Sequence, residues 1–147
     1  MVYTIEQLTL EDLKKQDVIV YLIMVVPKIG KLFEDKFDWR NADVEYLVKN
    51  RIFLICRRDG KISGHLICNL FNSPLDPKVT ILQQTLFYVK PDSGRTAYHL
   101  FQKFIDIGKD RANHIITMLT THTNIKPITL ENMGFKELET MYRMEIK

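Results

Sequence analysis

The chain has 147 residues, which fits one domain around a single core, and its net charge is only +3. That excess is too small, and its Lys and Arg too dispersed, to argue for a nucleic-acid binder. An apolar fraction near the globular average, with no repeat or low-complexity tract, excludes a disordered or solenoid chain.

Residues 2–8 predict a first strand. Thr9-Leu10-Glu11-Asp12 then has the capping-box form, with a hydroxyl at the cap and a carboxylate three residues on, so a helix should start there. It should include the continuous run from Val18 to Val26, apolar all round, and end or kink before Pro27. Such a run is either buried on both sides or partly covered by a partner subunit, which leaves a homodimer open. Burial is preferred, because β-branched runs in small α/β proteins are usually core. The run is about half the length a bilayer crossing needs, and the N-terminus carries no charged-then-apolar leader, so a soluble cytoplasmic protein is expected.

Asn41 should cap a short helix over residues 42–49, with Asp43 and Glu45 near its positive end and Lys49 near its negative end. Residues 51–58 and 61–71 read as two strands joined through Asp59-Gly60, the strongest hairpin signal in the chain. Cys56 and Cys68 fall inside them without metal-ligand spacing and read as small buried apolar residues. The four histidines are scattered, so no metal is expected.

Residues 80–89 predict the central strand, stopped by Lys90-Pro91-Asp92. From Gly94 the period changes: Ala97, Leu100, Phe101, Phe104, Ile105, Gly108 and Ala112 fall on one helical face. A strand feeding a helix through a short turn aims the free N–H groups of the helix at one spot, where an anion can sit. The same pattern also describes an ordinary strand-to-helix connection. Residues 114–120 predict a further strand, Pro127 opens a short helix through Met133 with Gly134 at its end, and the last segment alternates as a strand open to solvent on one side. The order is β, α, α, β-hairpin, β, α, β, α, β: an α/β (α+β) fold with a mixed, mostly antiparallel central sheet of six to seven strands flanked by about four helices, spanning residues 1–147 as a single domain.

That order, the Tyr88-Val89-Lys90-Pro91 strand end, the Asp59-Gly60 turn followed by Lys61-Ile62-Ser63-Gly64, and the closing Asn124…Glu131-Asn132-Met133-Gly134-Phe135 resemble the GCN5-related N-acetyltransferases (GNAT). The chain looks like a small, divergent bacteriophage member, placed in the host cytoplasm if viral. The resemblance implies acetyl-CoA as cosubstrate, lying in a V-shaped gap between the central strand and the strand after the long helix. Its pantetheine arm would pair with Leu86, Phe87, Tyr88 and Val89. Its pyrophosphate would rest on Ser93, Gly94, Arg95, Thr96, Ala97 and Tyr98. The family turn has the form R/Q-x-x-G-x-G/A. Laying Gly94 on its first glycine-like place puts Ser93 where Arg or Gln belongs, Thr96 at the essential glycine and Tyr98 at the last small residue, where it would crowd the approach while Arg95 compensates with charge.

Acyl transfer needs a base for the acceptor amine and often an acid for the departing thiolate. Relatives carry a glutamate on the central strand, where this chain has Gln83 and Gln84, and a tyrosine where it has Leu130. The catalytic candidates are therefore Gln84 at the glutamate's place, His99 or His65 as a base through water, and Tyr142 or Tyr88 as the acid. Asn124 would orient coenzyme or water, or cap a helix. The implied function is an acetyl-CoA-dependent N-acetyltransferase acting on an amine, with a protein amine as one candidate. The alternative, motivated by the missing glycine, glutamate and tyrosine, is a catalytically degenerate member serving as an interaction module for a viral or host protein.

Overall fold

The computed structural model describes residues 1–32, 43–118, 125–138, 144 and 146. Five strands form one sheet in the order β1-β2-β3-β4-β5, where β1 is Tyr3–Gln7, β2 Ile52–Arg58, β3 Lys61–Asn72, β4 Thr80–Val89 and β5 His114–Ile116. The first three junctions are antiparallel and β4 to β5 is parallel. The expected α+β mixture is present, with five described strands in place of six to seven. The alternating C-terminal stretch falls mostly outside the described residues, and no strand is described there.

The hairpin forms where Asp59-Gly60 predicts it. Both residues take positive φ, 50° and 82°, the backbone of a two-residue turn whose twist matches that of its strands. Arg58 consequently pairs with Lys61 and Arg57 with Ile62, and after a one-residue shift at Ser63 the ladder continues from Cys56 opposite Gly64 to Ile52 opposite Cys68. β2 is buried on both faces from Ile52 to Cys56, because helices cover the sheet on each side.

On one face lies α3, Thr96–Arg111, whose Leu100, Phe101 and Phe104 pack against Leu54, Leu66 and Leu82. On the other lie α1, Gln16–Leu32, and α2, Val44–Asn50. There Val18, Tyr21 and Val25 meet Phe53, Ile55 and Ile67. A last helix, α4, Pro127–Asn132, starts on a proline at its first turn and adds Leu130 to the α3-side core.

Helix boundaries differ from expectation in three places. Only half of the Thr9–Asp12 box forms: the Thr9 amide and hydroxyl both donate to Asp12 Oδ2 at 2.8 and 2.9 Å, but no side chain caps the single 3-10 turn, Glu11–Lys14, that follows, and α1 begins only at Gln16. The hydrogen bond donated by the Lys15 ammonium, with those from Thr9, holds the Asp12 carboxyl down at about 2. α1 also continues through Pro27 to Leu32. Proline there removes the donor to the carbonyl of Ile23, a residue on the exposed side of the helix (43 %), where water can serve instead. Finally, Asp43 caps α2 by accepting from the Tyr46 amide at 2.8 Å; Asn41, the expected cap, lies outside the described residues.

The apolar run of α1 is buried on one face only. Val18, Tyr21 and Val25 are buried, whereas Ile19, Val20, Ile23 and Met24 are 36 to 52 % exposed. Cys56 and Cys68 are both buried and unbridged, and burial pushes the Cys68 thiol up to about 12.

Candidate functional site

The β4–β5 junction is a ladder only at its start, where Ile81, Leu82 and Gln83 pair with His114, Ile115 and Ile116. From Gln84 to Val89, β4 has no strand beside it on that edge among the described residues. Two features end the ladder. On the β3 side the register slips so that Cys68 faces Gln84 and Ile67 faces Leu86, leaving Thr85 as the extra residue of a β-bulge, which bends the strand. On the β5 side the Gln84 carboxamide oxygen accepts from the Thr117 hydroxyl at 3.0 Å and the Met118 amide at 3.2 Å, so a side chain replaces the next backbone rung.

β5 ends at Ile116, with residues 117–118 past it, and residues 119–120 of the predicted 114–120 strand lie outside the described residues. Gln84 is 5 % exposed, and Gln84→Leu leaves the half-buried Thr117 hydroxyl and Met118 amide without their acceptor. It is expected to cost about 1–3 kcal/mol, read as a lowered urea midpoint.

Beyond Val89 the chain turns sharply, with Asp92 and Gly94 at φ 57° and 63°, and enters α3. Ser93 is nearly buried, and Thr96 is fully buried with its hydroxyl 2.8 Å from both Ser63 Oγ and the Ser93 carbonyl. The Thr96 hydroxyl is therefore engaged inside the protein and does not face an anion. The Arg95 amide donates to the Tyr3 hydroxyl at 3.0 Å, and the Thr96 amide reaches the Ser93 carbonyl at 3.4 Å. This leaves the Ala97 and Tyr98 amides, in the first turn of α3, without a protein acceptor among the described residues. Tyr98 is 42 % exposed and its ring lies beneath the Arg95 guanidinium, 4.5 Å from carbon to centroid. Its side chain borders a groove of about 340 Å³ between α3 and α4, with Gln102, Ile105, Lys109 and Met133.

The structure gathers the strand-end residues Leu86, Phe87, Tyr88 and Val89 and the turn residues Ser93 to Tyr98 at one end of the sheet. Phe87 faces α3, edge-on to Phe101 at 5.1 Å, while Leu86 and Tyr88 face α1. The catalytic candidates are not gathered. Gln84 is spent on the β5 chain, and His99 stacks on Tyr3 of β1, at the opposite edge of the sheet, with centroids 4.5 Å apart. His65 is buried beneath α1, its Nδ1 2.6 Å from the Tyr21 hydroxyl, and burial pushes its imidazole down to about 4. Tyr142 and Asn124 lie outside the described residues. Among the described residues no cluster of His, Cys, Asp and Glu could hold a metal ion, and no helix is long and apolar enough to cross a membrane.

Sequence reasoning missed Thr85 and Tyr3. The first left a trace in the strand, where Leu82 and Gln84 share a face with Phe87 and Val89, an odd step that strict alternation forbids. The second left none, since its contact spans 92 residues.

No protein-family model matches the sequence, and no curated relative does. Solved structures do match in fold. A probable acetyltransferase superposes with a TM-score of 0.77 at 18 % identity, with 98 % of each chain covered. A ribosomal-protein-alanine N-acetyltransferase from Brucella melitensis biovar Abortus 2308 gives 0.72 at 16 %, covering 99 % of this chain and 100 % of its own. AAC(6')-Iy, in complex with the bisubstrate analogue CoA-S-monomethyl-acetylneamine, gives 0.69 at 14 %, covering 100 % of this chain and 99 % of its own. These neighbours are GNAT acetyltransferases, and the fold of this chain is theirs along its whole length.

Proposed function

We propose that the chain is a single-domain, acetyl-CoA-dependent N-acetyltransferase. The observation that carries this reading is the end of the β4–β5 ladder beside the Thr85 bulge: among the described residues no strand pairs with β4 from Gln84 to Val89 on that edge, where an extended amide-bearing arm such as pantetheine would pair. The Ala97 and Tyr98 amides at the positive end of α3 supply the adjoining anion seat, and the exposed Arg95 adds charge to it.

The turn supports the reading better in a different register from the one first laid on it. With Gly94 at the fourth place of R/Q-x-x-G-x-G/A, Pro91 takes the first place and Thr96 the last small one. This register matches the positive φ of Gly94 and the burial of Thr96 against Gly64. Tyr98 then falls outside the motif, in keeping with its exposed ring.

In the reaction an unprotonated acceptor amine attacks the thioester carbon. The C–N bond forms, the C–S bond breaks, the coenzyme leaves as thiolate and takes up a proton, and the amine nitrogen loses one. A carboxamide exchanges no proton near neutral pH, so Gln84 serves by holding the cleft open. On the α1 side of the cleft, Asn69 and Gln83 face each other across β3 and β4, with Thr85 exposed beside them. These are neutral groups, so the amine's proton leaves through water and proximity supplies most of the rate. Tyr142 as the acid and Asn124 as a coenzyme contact remain part of the proposal, as does an amine acceptor on a protein.

Titration calorimetry with acetyl-CoA tests the reading. Saturable binding at one site per chain is expected, and absence of heat at millimolar coenzyme would remove it.

A further inference from the structure

The turn that would seat the pyrophosphate is held from an unexpected direction, by the far edge of the sheet. Tyr3 and Arg58 are cross-strand partners on β1 and β2, and both reach the turn. The Tyr3 hydroxyl accepts the Arg95 amide at 3.0 Å, while Arg58 Nη1 donates to the Asp92 carbonyl at 2.7 Å. The two contacts bracket Gly94. A Cβ at Gly94 would lie 2.4 Å from the Tyr3 hydroxyl and 3.5 Å from the Arg58 guanidinium carbon, so the pair fills the space over that residue. Tyr3 is itself fixed by its stack on His99, one helical turn into α3.

We propose that Tyr3, assisted by Arg58, is a positioning residue for coenzyme binding: it sets the turn so that the Ala97 and Tyr98 amides converge on the pyrophosphate. This rests on the coenzyme reading above. The two free amides belong to a helix start whose preceding residue, Arg95, is tied to Tyr3 by its own N–H. Removing that tie lets the turn swing without touching the strand that would hold pantetheine. His99, expected to act as a base, has its place here as the surface against which Tyr3 is stacked.

Tyr3→Phe keeps the ring and its stack and removes only the acceptor oxygen. Calorimetry on the full chain would compare acetyl-CoA with S-acetylpantetheine, which lacks the pyrophosphate. Loss of one ordering hydrogen bond should raise the Kd for acetyl-CoA about threefold to tenfold, with the S-acetylpantetheine isotherm and the melting temperature unchanged. Arg58→Gln should act in the same direction. An unchanged acetyl-CoA Kd, or an equal loss for both thioesters, would overturn the inference while leaving the coenzyme reading intact. A wild-type chain that binds no acetyl-CoA would overturn that reading and this inference with it.

Discussion

Gly64→Ala is expected to destabilise the chain by about 1–3 kcal/mol, the cost of overpacking a filled interior, and to weaken coenzyme binding as well. Gly64 lies opposite Val89, the last residue of β4. A Cβ there would stand 2.7 Å from the Tyr88 carbonyl, 2.8 Å from Val89 Cγ1 and 3.0 Å from Thr96 Cγ2. The first is backbone and cannot swing aside, so the end of β4 must move. Because Val89 leads into the turn and Thr96 opens α3, the displacement passes straight to the amides that would bind phosphate. Urea unfolding reads the stability loss and calorimetry the Kd. An alanine variant with both unchanged would mean that β3 and β4 are not packed this closely.

Acidification should destabilise the chain well above the pH at which its carboxylates titrate. His65 is buried between Tyr21, Phe53 and Tyr88, and burial holds its imidazole at about 4 against an ordinary 6.5. Above pH 6.5 the ring is neutral in folded and unfolded chains alike, and its contribution to stability is fully present. As pH falls from 6.5 toward 4 the unfolded chain takes up a proton that the folded chain refuses, and stability drops by about 3 kcal/mol in all. Asp12, held at about 2, loses its contribution only at lower pH, so the two windows separate. Urea midpoints measured between pH 7.5 and 4.5 should show this slope. Tyr21→Phe with His65→Leu, which replaces both hydrogen-bond partners together, should flatten it, and a slope that survives in the double variant would assign the titration elsewhere.

The elements that were legible in sequence are those whose signal is local. Asp59-Gly60 fixed the hairpin because two consecutive positive φ values suit few residue pairs, and the shift from period two to period 3.6 near Gly94 marked where β4 gives way to α3. The strand-turn-helix was legible. What escaped depended on contacts distant in sequence. A run as apolar as that from Val18 to Val26 looks buried all round, yet only the positions meeting β2 and β3 are covered. Pro27 reads as a stop until the exposure of Ile23 shows where the freed carbonyl lies. The fit of Thr96 beneath Gly64, on which the proposed register of the turn rests, joins residues 32 apart. The role given to Gln84 came from its place on the central strand, and that given to His99 from residue type. Their neighbours, Thr117 with Met118 and Tyr3, point to holding the cleft and supporting the turn.

The most direct test is an amide spectrum of the nitrogen-15-labelled protein titrated with acetyl-CoA. Coenzyme seated where β4 leaves β5 should move the signals of Gln84 to Val89 and of Gly94 to Tyr98 together and leave β1 and α2 nearly still. Shifts confined to other surfaces, with the β4 end unmoved at saturation, would contradict a coenzyme site in that opening.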